Sequence, residues 1–323
     1  MKASLERILE NNTVMVIDGS MSSVLERMGA DLNNRLWTAS VLSGQPELVR
    51  QVHYNYLKAG ADCGITCSYQ ASVRGLMEAG YSEAEAESLI IRSVELFKEA
   101  RDQWYREEGE ASGRQYQLCL GSVGPYGAYL ADGSEYTGSY SMDRDMLRKF
   151  HYRRMELLHQ AGADILLLET QPALEEALIE AEIAEELGAD YWISFSCRDA
   201  SHTCHGEAVS ECAAILSKGH PHLRMIGINC TDPDYIVPLI HELKKGTDLP
   251  VAVYPNSGEL YDPLTKTWTA RKGSVDFETR ALAYMAAGAA AVGGCCTTVE
   301  QHIIQVCKAR DRYLSAGKPK LIR

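Results

Sequence analysis

Eight short apolar runs recur along the chain, and between them the apolar residues fall at helical spacing. The runs cover 13–17, 62–66, 117–122, 164–168, 191–195, 224–229, 250–254 and 287–292. Runs of this kind are apolar throughout rather than alternating, which is the pattern of parallel strands covered on both faces. Helices are expected over 21–28, 46–59, 82–107, 143–160, 172–187, 207–217, 233–245 and 276–287. A last one runs through Glu300, Ile303, Ile304 and Cys307. The punctuation agrees with this reading. Pro46 suits a first helical turn, Gly60, Gly162 and Gly188 mark stops, and Ser82 with Glu85 makes a capping box. Eight βα units predict an α/β fold, a closed (β/α)8 TIM barrel with its active residues at the strand C-termini. No linker or low-complexity segment interrupts the pattern, so residues 1–323 read as one domain.

The strand exits carry the chemistry. Gly293-Gly294-Cys295-Cys296-Thr297-Thr298 follows the last run, with Thr297 or Thr298 placed to cap the final helix. Adjacent cysteines rarely bond to each other, because the ring they would close is strained. A backbone bent by glycine lets both face one ion. A third thiol ends the sixth run, in Asn229-Cys230-Thr231. Cys230, Cys295 and Cys296 therefore form a candidate three-thiolate zinc site with one open position. The alternative is a closed structural site or simple packing, although structural sites usually bring a fourth protein ligand.

Other exits suit an amino acid. Asp18 and Glu169 are carboxylates placed for an ammonium, or equally for capping a helix or an ion pair. Gly19 and Ser20 offer backbone N–H groups to a carboxylate. The loop over 124–140 is rich in glycine and tyrosine and too long for a plain connector. Its Tyr126 and Tyr129, with Trp37, present aromatic faces to a cationic ligand, unless they are surface tyrosines on a mobile loop. His202-Thr203-Cys204-His205 is a rival metal cluster with no evident further ligand. Cys63, Cys119, Cys212 and Cys307 read as small core residues, and Cys67 at a strand exit stays open.

Composition narrows the class. A net charge of −12 argues against nucleic acid or an anionic membrane as the main partner. No apolar run is long enough to span a bilayer. Residues 1–7 start a charged helix and lack the apolar core of a signal peptide. Ten cysteines in 323 residues fall short of a disulfide scaffold, so free thiols in a reducing, cytoplasmic setting are expected.

These residues resemble the homocysteine S-methyltransferases. The likeness covers almost the whole chain: Asp18-Gly19-Ser20-Met21, Leu36-Trp37, Thr66-Cys67-Ser68-Tyr69-Gln70, Ser122-Val123-Gly124-Pro125-Tyr126-Gly127-Ala128-Tyr129, Asp132-Gly133-Ser134-Glu135-Tyr136, Glu169-Thr170, Asn229-Cys230 and Gly293-Gly294-Cys295-Cys296. The tyrosine loop is similar to that of the branch using S-methylmethionine, rather than the betaine-using or cobalamin-dependent branches. The resemblance implies a (β/α)8 barrel and zinc on Cys230, Cys295 and Cys296. It implies homocysteine bound through its sulfur, with Asp18 and Glu169 near its amino group, and methionine as product. S-adenosylmethionine or betaine as donor is the competing enzyme reading, and a non-catalytic zinc or thiol-binding protein is the competing class. No Gly-rich nucleoside motif is present, which weighs weakly against an adenosyl site. One departure is that Ser22 and Ser23 stand where the family usually has Gly-Thr. Donor preference and oligomeric state are not fixed by the sequence.

Overall fold

A computed structural model describes residues 3–34, 36–262, 267–269 and 276–317. Its centre is a parallel sheet of eight strands: β1 (Met15–Val16), β2 (Cys63–Ile65), β3 (Leu118–Val123), β4 (Ile165–Gln171), β5 (Tyr191–Phe195), β6 (Leu223–Asn229), β7 (Val251–Tyr254) and, after a two-stranded hairpin, β10 (Ala289–Val292). The hairpin strands β8 (Leu260–Asp262) and β9 (Thr267–Thr269) pair antiparallel, where the sequence suggested only a loop around Trp268. The order around the sheet is β1-β10-β7-β6-β5-β4-β3-β2. Helices separate the strands and cover the outside, so the expected TIM barrel is the fold found.

Two carboxylates close the barrel where β1 meets β2. Asp62 N donates to Val16 O at 2.7 Å, and Asp62 Oδ2 accepts from Val16 N at 2.9 Å. One strand turn higher, Asp18 Oδ2 accepts from Ile65 N at 3.0 Å. Arg114 and Arg310 neutralise Asp62 at 2.8 and 2.9 Å. The seam is thus a charge-assisted bridge rather than an ordinary ladder.

Strand residues sort by the pleat. Met15 and Ile17 point inward to a core that includes Leu120, Leu167, Trp192 and Tyr254, and the helix Leu5–Asn12 covers it with Leu5, Ile8 and Leu9. Val14 and Val16 point outward to the layer between strands and helices. Both faces are buried, which explains the continuous apolar runs.

Several boundaries differ from expectation for local reasons. The helix expected over 172–187 is Leu174–Leu187, because β4 runs on to Gln171 through Thr170, whose φ is 59°. The one expected over 207–217 is Val209–Leu216, since Glu207 accepts from Thr203 N and Leu174 N instead. The helix expected over 82–107 loosens after Trp104 into a π-turn, Tyr105–Gly109. The loop over 124–140 holds a short helix, Tyr126–Leu130, and a 3-10 turn, Ser134–Tyr136. Helices Ala39–Gly44 and Val73–Glu78 carried too few periodic positions to be expected. Neither Thr297 nor Thr298 caps the last helix, which starts at Glu300 after Val299; His302 Nδ1 accepts from Val299 N at 3.0 Å there. Among the described residues no helix is long and apolar enough to cross a membrane.

Candidate active site

Two strand ends bring three thiols together. Cys230 follows β6 with φ 47°, a left-handed conformation that a non-glycine residue adopts only when its neighbours hold it. Its N–H donates to Tyr254 O at the end of β7 (3.3 Å). Asn229 locks the same turn to β4: its Oδ1 accepts from Thr170 N and its Nδ2 donates to Thr170 Oγ1, both at 2.8 Å. The turn holding Cys230 and the turn holding Glu169 are therefore one unit.

Gly293 and Gly294 carry the other pair. A Cβ on Gly293 would lie 2.6 Å from Ile17 Cβ and 2.8 Å from Ile17 O, and one on Gly294 would lie 2.5 Å from the Thr298 side chain. Only glycine fits this close approach. Gly294 N then reaches Asp18 O at 3.2 Å, and Cys295 N reaches Pro255 O at 2.7 Å. The sulfurs of Cys230, Cys295 and Cys296 all lie within 4.8 Å of one another, with Cys230 and Cys296 at 3.6 Å. Tetrahedral zinc with Zn–S bonds of about 2.3 Å needs sulfurs roughly 3.8 Å apart, so the spacing suits one ion. Hydrogen bonds from Cys295 and Cys296 hold the Cys230 thiol well below its ordinary pKa, while both donors are pushed up in return. A divalent cation would remove that asymmetry by deprotonating all three.

Beside the thiols lie two buried carboxylates, Asp18 and Glu169, 2% and 5% exposed. Burial pushes Asp18 well above the usual carboxylate range; the Ile65 N–H opposes this and the Glu169 charge adds to it. Asp18 Oδ1 is buried with no hydrogen-bond partner among the described residues. Glu169 is raised to about 7, chiefly by burial, with a hydrogen bond from Ser122 pulling down and the Cys230 charge pushing up. A cation between two buried carboxylates raised in this way would relieve both.

The remaining candidates are placed less favourably. Ser20 N–H, read from the sequence as free for a ligand, donates to Thr298 Oγ1 at 3.2 Å, and Ser20 Oγ caps Ser23 N at 3.2 Å. Among the described residues no backbone acceptor takes the Gly19 N–H. Ser22 and Ser23 belong to the same turn, each with its hydroxyl 3.0 Å from Ser20 Oγ. Trp37, itself at φ 47°, stacks edge-on against Tyr69 with ring centres 6.4 Å apart. Burial pushes the Tyr69 phenol up, and the charges of Glu135 and Cys230 add to it.

Tyr126 and Tyr129 correct the expectation of an aromatic cover. The helix they begin turns both rings into a buried cluster with Phe150, and Tyr129 Oη donates to Glu78. The tyrosine that reaches the thiols is Tyr136, with Oη 3.4 Å from Cys230 Sγ. Nothing in the sequence distinguishes it from its neighbours except its place just after the left-handed Gly133.

Two further groups bear on metal binding. The rival cluster is not assembled: His202 pairs with Asp199 at 3.0 Å and His205 with Glu207 at 3.1 Å, and burial raises the Cys204 thiol to about 11. His151, Glu176 and Glu180, which sequence reasoning missed, do converge behind the tyrosine loop. Arg154 sits inside that group, 2.6 Å from His151 Nδ1, and supplies the balancing charge a metal would otherwise bring. Burial pulls the His151 pKa down, but Glu180 and Glu176 outweigh it. The network anchors the loop: Glu176 accepts from Tyr126 N at 2.6 Å and from the Tyr140 hydroxyl. Its signal in the sequence was faint: Glu176 and Glu180 are two of six glutamates in the helix Leu174–Leu187, set apart by sharing an i, i+4, i+7 face with Ile183. Cys63, Cys119 and Cys212 are core residues as expected, and Cys307 packs against Ala59 O and Gly60 O at 3.6 Å. Cys67, left open by the sequence, faces Thr38 O at 3.4 Å, and burial raises its thiol to about 12.

A family profile described as homocysteine S-methyltransferase matches residues 15–310. The chain is similar to homocysteine S-methyltransferase YbgG of Bacillus subtilis, 45% identical over 94% of this chain and 96% of the relative. It is 40% identical to a selenocysteine methyltransferase of Astragalus bisulcatus over 94% of this chain and 93% of the relative. Among solved structures, the metallated form of the homocysteine methyltransferase MmuM from Escherichia coli superposes with TM-score 0.84 at 37% identity, covering 95% of this chain and 99% of that one.

Proposed function

The chain belongs to the homocysteine S-methyltransferase family, and from that premise we propose that it uses S-methylmethionine as donor and zinc on Cys230, Cys295 and Cys296. The protein is a methyltransferase whose family acts on homocysteine. The single observation carrying the zinc reading is the sulfur spacing, 3.6 Å between Cys230 and Cys296 with Cys295 in the same group. Three thiolates leave a fourth position open, and zinc there supplies a Lewis acid that keeps a substrate thiol deprotonated at neutral pH.

The chain's own residues do the rest. Asp18 and Glu169 receive the acceptor's ammonium between two buried carboxylates. Gly19 offers a backbone N–H to its carboxylate. So held, the acceptor sulfur attacks the donor methyl carbon from the side opposite the departing sulfur. The new S–C bond forms as the old one breaks, and the bonding pair stays on the donor sulfur, which becomes a neutral thioether. An anion and a cation lose charge together, so the gain comes from positioning and from excluding water. No general base acts in the transfer step. With S-methylmethionine both products are methionine.

The donor assignment is supported by the likeness of the loop from Gly124 to Tyr136 to the S-methylmethionine branch. We read residues 1–323 as one catalytic domain, working in a reducing cytosol with all ten cysteines free. The relative from Astragalus bisulcatus makes a selenol acceptor worth including in the assay. The test is methionine formation from homocysteine with S-methylmethionine, S-adenosylmethionine and betaine in separate runs, with zinc per chain measured on the same sample. Fastest turnover with S-methylmethionine in zinc-loaded protein is expected. Zinc-independent turnover would remove the metal reading, and faster turnover with another donor would remove the donor reading.

A further inference from the structure

The Asp18–Glu169 pair accounts for one ammonium group, yet a third carboxylate lies near the thiols. Glu135 sits in the 3-10 turn Ser134–Tyr136, one residue before the tyrosine whose hydroxyl is 3.4 Å from Cys230 Sγ. Its Oε2 is buried and has no hydrogen-bond partner among the described residues. The turn is held firmly. A Cβ on Gly127 would come within 2.5 Å of Glu135 N, so loop backbone packs directly on helix backbone, and Ser196 Oγ reaches Glu135 O at 3.4 Å. Burial raises the Glu135 carboxyl to about 7; its own and Gly133's amides oppose this, and the charges of Cys230 and Asp132 add to it. Ser196 Oγ also reaches Thr170 O at 3.5 Å, so the turn carrying Glu135 is tied to the strand end that carries Glu169. An orphaned buried carboxylate oxygen costs stability unless a ligand satisfies it.

We propose that the Glu135 carboxylate receives the α-ammonium group of the methyl donor, as Asp18 and Glu169 receive that of the acceptor. The assignment rests on the reading of the donor as S-methylmethionine, which is itself an α-amino acid. That reaction needs two ammonium sites around one thiol group, and Glu135 Oε2, like Asp18 Oδ1, is a buried carboxylate oxygen without a hydrogen-bond partner among the described residues. The sulfonium is the less suitable partner for Glu135. Its charge disappears in the transition state, so a carboxylate beside it would hold the ground state more tightly than the transition state. The ammonium keeps its charge throughout, and an interaction with it is uniform binding that lowers KM and leaves kcat alone.

The test compares wild type with Glu135→Gln, both zinc-loaded, using S-methylmethionine and 4-dimethylsulfoniobutanoate, the same donor without its amino group. Glu135→Gln is expected to raise the KM for S-methylmethionine about 10–100-fold, the loss of a charge-assisted hydrogen bond. Its kcat, its KM for homocysteine and its kinetics with the des-amino donor stay within twofold or so of wild type. Equal losses with both donors, a raised KM for homocysteine or an unmoved KM for S-methylmethionine would each overturn the assignment. Zinc content and thermal midpoint show whether the variant folds. If it does not, the wild type alone decides: it should prefer S-methylmethionine to the des-amino donor at least tenfold in KM, and equal KM values overturn the proposal. Wild type inactive with S-methylmethionine sinks the donor reading and this assignment together, whereas wild-type turnover with an unmoved KM in the variant sinks this assignment alone.

Discussion

Tyr136 Oη lies 3.4 Å from Cys230 Sγ and so joins the loop after β3 to the thiol group at the end of β6. The contact links the segment that resembles a donor-binding loop to the residue whose thiol is the most acidic of the three. A hydroxyl donating to a thiolate withdraws charge from it and steadies its direction.

Tyr136→Phe therefore removes a hydrogen bond worth about 0.5–1.5 kcal/mol net. Zinc affinity, read by competition with a chromophoric chelator, should weaken roughly 2–10-fold by that energy. The thermal midpoint of the metal-free protein should fall by only about 1–2 °C, since that energy is small against the unfolding entropy of so long a chain. Unchanged affinity would show that the hydroxyl does nothing for the metal ligands.

Cys295→Ser should lose most of its zinc and all measurable methyl transfer while the fold survives. The strands are buried on both faces by apolar side chains, unlike small domains that unfold when their metal is removed. Chelation of wild type should do the same: activity lost and regained with zinc, circular dichroism constant. Full activity in the zinc-free variant would remove the central claim.

The strands and the thiol group were legible in the sequence because each is written locally. Eight apolar runs alternating with helical spacing mark the barrel, and two cysteine motifs at strand exits mark the thiol group. The seam was not legible, since whether Asp18 and Asp62 bridge β1 to β2 depends on two strands meeting across the closed sheet. Which loop tyrosine reaches the thiols was not legible for a similar reason. Tyr126 and Tyr129 are turned away by a five-residue helix too short to announce itself, and Tyr136 is brought to Cys230 by the turn that follows. The availability of Ser20 N–H was decided by Thr298, at the other end of the chain.

Glu169→Gln should trade function for stability, and the pH dependence gives the sign. Burial raises the Glu169 carboxyl from its ordinary 4.5 to about 7, so the folded protein holds that proton more tightly than the unfolded chain does. The stability this group contributes is fully present below its unfolded value and is lost as pH rises through about 7. Relative to wild type, the glutamine variant should therefore gain roughly 2–3 kcal/mol between pH 4 and pH 8 without substrate, while homocysteine binding collapses. Urea unfolding at the two pH values measures this. A gap that does not widen with pH would mean Glu169 is ionised in the free protein at little cost.

Gly293→Ala tests whether glycine is required by contact rather than by backbone conformation. The position has no positive φ, so an L-residue is not excluded by strain. The exclusion is steric: the new Cβ would meet Ile17 Cβ at 2.6 Å, Ile17 O at 2.8 Å and Asp18 O at 2.9 Å. Two of these are carbonyl oxygens of the β1 exit, which cannot step aside without moving Asp18. The variant should lose about 1–3 kcal/mol, as over-packed sites do, and zinc content should fall because Cys295 lies two residues on. Trimming Ile17 to Ala in the same chain should not restore either property, since the carbonyls stay in place. Wild-type unfolding and full zinc in the single variant would show that β10 can slide away from β1, and the glycine pair would then be a feature of the turn alone.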